Sequence, residues 1–282
     1  MIGVLSARFW LLHSDKKNHR TVHVALQRLG VVAAALCLIA SGAALWVAAA
    51  VMSGKPLAEA SDMLGLMLTK TAYGQTGLIG LVLLALSVMF FILWDRARLY
   101  SFLLVIVLCA FALSRASVSH SGENGLFSLS VLVEWLHLVL IAVWVGGVAI
   151  AAWIVLPIAR ISSEPSAQQG AHLRPYMESL SLAAMIALIG IVATGLYNAW
   201  HRLGSIDDLF GNAYGTALII KLVFVGVAIL LGGYNKFIGF PAFVHAPEKS
   251  YALTVLRIES IVLFGVLIAA AVLTSRQPPA SF

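Results

Sequence analysis

Polar residues are sparse in this chain and fall in clusters. Between the clusters run seven apolar segments, at 29–52, 71–94, 99–114, 131–159, 179–200, 213–234 and 251–275. A hydrocarbon core ~30 Å thick needs about 20 residues of helix at ~1.5 Å each. The third segment falls short of that length, but Arg98 and Arg115 at its ends carry side chains long enough to reach the interface. The pattern predicts an all-α fold, a polytopic membrane helical bundle of about seven transmembrane helices. Residues 1–28 precede the bundle at 29–275, and a short tail, 276–282, follows it. The leading segment mixes Trp10 and Leu11 with His13, Lys16, Lys17, His19, Arg20 and His23. It reads as a basic cytoplasmic or interfacial stretch, and its histidines also suit metal handling. Arg8 interrupts its first apolar run, and no signal-peptide cleavage pattern follows.

Orientation follows from Lys and Arg. With the N-terminus inside, twelve basic residues fall on the cytoplasmic side and five on the outer side, with Lys221 inside a helix. This positive-inside bias places the N-terminus in the cytoplasm and the C-terminus in the periplasm of a bacterial inner membrane. Two matched elements predict a parallel internal repeat. Thr71-Ala72-Tyr73-Gly74 and Asn212-Ala213-Tyr214-Gly215 each open an apolar segment. The segment before each ends alike, in Ala40–Trp46 and Ala193–Trp200.

Composition sharpens the class. The chain has 282 residues, 61% hydrophobic and 11% charged, outside the range of soluble domains. No polar stretch is long enough to build a core of its own. The net charge of +6 resides in short loops, so it signals topology and not nucleic-acid binding. Cys37 and Cys109 both lie in apolar runs, which argues against a disulfide framework.

Charged and ligating side chains inside such a chain are few, and each is a candidate. His137 lies in the nearly wholly apolar run 133–147, with Glu134 one turn before it and His120 just upstream. An i,i+3 pair shares a helix face, and Trp144 continues that stripe. Imidazole binds copper, zinc, iron and nickel, so His120, His137 and Glu134 form a candidate metal site at the outer side. The competing reading is a packing histidine satisfied by Glu134 or a carbonyl. Met63 and Met67, i,i+4 in the outer loop, add soft thioethers, although an interfacial helix would bury them in any case. Lys221 and Glu259 are intramembrane charges. Glu134 is the predicted partner of Lys221, and Lys236 or Arg257 that of Glu259. Asn198 and Asn235 are predicted to end the fifth and sixth helices, as caps or as bonds across the bundle. The sequence has no P-loop, Gly-x-Ser-x-Gly or His-Glu-x-x-His motif, so no enzyme is predicted. With His137 the one histidine inside a predicted span, bis-histidine haem is disfavoured.

Several of these residues fall in ordered motifs. His137-Leu138 through Ala142-Val143-Trp144-Val145-Gly146-Gly147, preceded by Ser119-His120, resembles a signature of the copper-resistance protein D (CopD) family. So do Thr194–Trp200, Tyr214-Gly215 with Leu218 and Lys221, and Gly233-Tyr234-Asn235. Leu256-Arg257, Glu259, Val272–Ser275 and Pro278-Pro279-Ala280 resemble its last helix and tail. The resemblance covers about His120 to Ala280. It implies an inner-membrane protein that moves copper, inward from the periplasm, beside a periplasmic copper-binding partner. Family members usually begin with a spanning helix whose counterpart here is short and charged, and no periplasmic copper-binding domain is fused. The leading expectation is a copper permease that captures its ion at His120 and His137, aided by Met63 or Met67, and passes it along Asn198 or Glu259. The alternatives are a membrane protein that delivers copper to an assembling metalloenzyme, and a haem or quinone redox protein.

Overall fold

The computed structural model describes residues 1–11, 19–119, 128–161, 166–202, 213–246 and 250–274. His13, Lys16, Lys17, His120 and the predicted tail 276–282 lie outside the described residues. The described residues are helical, without strands. Eleven α-helices are used below: α1 (Ile2–Leu11), α2 (His19–Ser53), α3 (Ser61–Lys70), α4 (Ala72–Leu93), α5 (Arg98–Ser117), α6 (Leu129–Ile150), α7 (Leu156–Ile161), α8 (Ser166–Arg202), α9 (Ala213–Tyr234), α10 (Phe240–His245) and α11 (Ala252–Thr274). Seven spans among them are long and apolar enough to cross a bilayer: Arg20–Ser53, Ala72–Leu93, Arg98–Ser117, Leu129–Ala159, His172–His201, Ala213–His245 and Ala252–Thr274. These are the seven segments expected from the sequence. Their outward surfaces expose large apolar side chains such as Ile39, Phe102, Leu196, Leu230 and Phe264. Such a surface suits lipid and not water.

The helices fall into two units. The first comprises Met1–Leu5 and Ala25–Val139, the second Ser6–Val24 and Leu140–Phe282. In the first unit, α4 packs on α5 and on α3. Gln27 of α2 donates from Nε2 to the carbonyls of Phe91 (3.1 Å) and Ile92 (3.0 Å). These belong to the last turn of α4, whose carbonyls have no helical partner. At the other end of α4, Thr71 is the N-cap, its Oγ1 accepting from the Gly74 amide at 3.0 Å. Gly74 lies so close to the Met67 carbonyl that any Cβ there would collide with it, so α3 turns tightly into α4. Trp135 of α6 donates to the Cys109 carbonyl of α5 at 2.9 Å.

In the second unit, α11 packs along α9, and α10 packs on α8. Two helices here change pitch in the same way. α6 runs for 22 residues, widens into a five-residue π-helical turn, Ala151–Val155, and resumes as the six-residue α7. α9 runs for 22 residues, widens at Asn235–Gly239 and resumes as the six-residue α10. Each resumed helix has proline second, Pro157 and Pro241. Proline has no N–H to give and its ring crowds the carbonyl four residues back, so the ladder loosens just before it. Both π-helical turns lie against α11.

Two expectations are corrected here. Asn235 does not end its helix but opens a π-helical turn, and Asn198 lies inside α8, which continues to Arg202. The first span also starts earlier than the apolar run does, because a helix can carry polar residues beyond its hydrophobic stretch. The Tyr-Gly elements do sit alike, each in the first turn of its helix, α4 or α9.

Candidate functional site

α11 buries one stripe: Ala252, Leu253, Leu256, Glu259, Ser260, Leu263 and Val266. The spacing is that of one helix face turned to the core, and Glu259 occupies a position that its apolar neighbours define as interior. It is 2% exposed. An ionised carboxylate so deep in a membrane span needs a counter-charge or donors. Its neighbours supply donors. Asn235 is 1% exposed and places Nδ2 3.3 Å from Glu259 Oε2. Turned over, the same carboxamide would donate to the Ala252 carbonyl at 3.2 Å and accept from the Leu256 amide at 3.3 Å. Either way it ties the π-helical turn to α11. Trp144 of α6 lines the same cavity as the carboxylate. Gly232 leaves room for this: a Cβ there would stand 3.1 Å from Glu259 Oε1.

The cations predicted to neutralise Glu259 are engaged elsewhere. Arg257 stacks over the Trp153 ring, 5.0 Å from its centroid, while Trp153 donates from Nε1 to Ser260 Oγ at 2.9 Å. Lys236 Nζ lies 3.2 Å from the sulfur of Met185. Trp153 comes from one π-helical turn, Asn235 and Lys236 from the other. Such turns recur at functional sites because the extra residue re-aims side chains that a regular helix would point elsewhere.

Glu259 opens on a cavity of about 250 Å³, lined also by Trp144, Met185, Gly232, Asn235 and Lys236. An adjoining cavity of about 460 Å³ shares Ser181, Lys236 and Phe240 with it and adds Arg174, Met177, Glu178 and His245. Thus one buried carboxylate faces an apolar chamber, and a chamber with ionisable walls adjoins it.

The residues expected at the outer side are distributed as follows. His137 is 7% exposed and Glu134 half-buried, both on α6 in the first unit, and each has a polar or electrostatic partner. His120 lies outside the described residues. Met67 is 0% exposed, enclosed with Leu45, Ala49, Ala50 and Ala60, and Met63 is half-buried at the edge of that cluster. Asn198 and Lys221, in the second unit, are half-buried and partnered. Among the described residues, no group of three His, Cys, Asp or Glu side chains could hold a metal. Sequence reasoning missed Trp153, Met185, Met177 and His245. The one signal for the first was a shared pattern, aromatic-Ile-x-apolar-Pro, at Trp153–Pro157 and Phe237–Pro241. The others carry no local mark.

Comparison with known proteins bears on identity. Residues 174–273 match the family model described as Copper resistance protein D. Residues 1–129 match the model of the Copper resistance protein D-like N-terminal domain. The chain is 28% identical over 200 residues to the "Copper transport protein CutJ" of Bacillus subtilis (strain 168). That match covers 70% of this chain and 35% of the relative, so it spans about a third of the relative's length. No solved structure matches. Two models of one family account for most of the chain, and with the multi-pass helical build they identify it as a member of the copper resistance protein D family.

Proposed function

We propose that this chain is a copper permease of the bacterial inner membrane, importing copper from the periplasm and contributing to copper homeostasis or resistance. The observation that carries the reading is the match of both family models to a chain with seven membrane-capable spans. The N-terminus is cytoplasmic and the C-terminus periplasmic, as the basic residues suggest. His120 and His137 capture the ion at the outer side, with Glu134 beside them. Of the two thioethers, half-buried Met63 is better placed than enclosed Met67 to assist. The ion then passes polar groups on the second unit's helices, Asn198 and Lys221, and reaches Trp144, Asn235 and Glu259. A periplasmic copper-binding protein supplies the ion. Copper accumulation by sealed vesicles containing the purified chain tests the reading, with protein-free vesicles as the reference. Binding without accumulation would instead indicate delivery to another protein.

A further inference from the structure

We propose that Glu259 is a proton-exchange site that couples cation passage to proton movement in the opposite direction. The inference rests on the permease reading and adds to it a means of compensating the charge of the cation as it passes.

Four observations converge on this carboxylate. It is 2% exposed in the middle of a core stripe, so its charged form needs compensation. Among the described residues it makes no ion pair. It borders a cavity of about 250 Å³, and a water occupies about 30 Å³ of liquid volume, so there is room for a small cation or several waters. The adjoining cavity is lined by the ionisable side chains Arg174, Glu178, Lys236 and His245, groups able to relay protons. The ionisable groups that line the Glu259 cavity are Glu259 itself and Lys236. α6 and α8 contribute none, α10 contributes Phe240, and Arg257 of α11 is turned onto Trp153.

Asn235 is the partner that such a site requires. With Nδ2 toward Glu259 Oε2 it donates to a carboxylate. Turned over, its oxygen takes that place, there accepting from the Leu256 amide, and can accept from a protonated acid. A lysine or arginine in its place would serve the ionised state alone. The exchange is balanced: the O–H bond of the acid breaks, the proton leaves to water in the adjoining cavity, and the carboxylate left behind takes the cation as counter-charge. When the cation leaves, a proton returns. Lys236 lines both cavities, and its ammonium sits on the Met185 sulfur, where an incoming soft cation would displace it.

The test uses the full chain in two measurements. In proteoliposomes, copper(I) and copper(II) are supplied in separate runs while a dye reports pH on both sides. Copper entry by the wild type should release protons to the opposite side. Glu259→Gln, which keeps the hydrogen bonds but cannot ionise, should lose the proton signal, and Glu259→Asp should retain part of it. In detergent, infrared difference spectra should show a carboxylic-acid carbonyl band that copper(I) addition bleaches, present in the wild type and absent from Glu259→Gln. Copper entry without proton release, or a proton signal unchanged in Glu259→Gln, would overturn the proposal. If the wild type moves no copper at all, the permease reading fails. The infrared band still decides on Glu259, because it needs no transport.

Discussion

Asn235 and Glu259 lie 24 residues apart on different helices, and their side chains meet at 3.3 Å with both almost fully buried. The contact exists because Pro241 loosens the helix before it and the π-helical turn at Asn235–Gly239 turns the carboxamide onto α11. Cutting Asn235 back to alanine removes a hydrogen-bond partner from the buried Glu259 carboxyl group. A buried group left without its bond costs about 1–3 kcal/mol. We expect Asn235→Ala to lower the thermal unfolding temperature in detergent, and Asn235→Ala with Glu259→Gln to recover part of the loss.

The proline is predicted to be the cause of the turn. Pro241→Ala should let the ladder close as ordinary α-helix and rotate Asn235 away from its partner. In a background lacking Cys37 and Cys109, Asn235→Cys with Glu259→Cys should form a disulfide on oxidation. Adding Pro241→Ala should abolish it. An undiminished cross-link would show that the turn does not depend on the proline.

Glycines separate close approach from mere flexibility. A Cβ on Gly74 would collide with the Met67 carbonyl, whereas one on Gly42 would meet nothing within 4 Å. Overpacking against backbone costs about 1–3 kcal/mol, so Gly74→Ala should reduce folded protein in the membrane. Gly42→Ala should be neutral or stabilise by up to about 1 kcal/mol, through helix propensity. Protein level and thermal stability together check both.

How much of this is visible without a structure depends on what kind of signal each element leaves. The seven spans are legible because a run of about 20 apolar residues has few other uses. Glu259 is legible as well, since a carboxylate inside such a run stands out. Its partner is not, because Asn235 follows an apolar segment of helical length and looks like a cap. The π-helical turns are hidden for a related reason. A helix that is apolar all round has no polar face whose period could reveal an inserted residue, and Pro157 and Pro241 are the remaining clues. Arg257 is expected as a counter-ion from its depth in the membrane, yet two residues along a helix is over half a turn, and it faces Trp153 instead. Whether His120 reaches His137 depends on a segment between α5 and α6 for which periodicity offers no guide.

Topology is predicted by the basic residues. Labelling from outside the cell, again without Cys37 and Cys109, should mark Ser281→Cys and spare Ser166→Cys. The reverse pattern would put His137 at the cytoplasmic side and remove it from periplasmic capture.

The most direct measurement is copper accumulated by sealed vesicles, normalised to membrane-inserted protein. Vesicles with the wild-type chain should accumulate copper above protein-free vesicles. His137→Ala should abolish that accumulation, His120→Ala should weaken it, and His201→Ala should leave it nearly unchanged. Wild-type accumulation no greater than that of protein-free vesicles would contradict the permease reading. Normalised accumulation unchanged in the His120, His137 double variant would contradict the capture site.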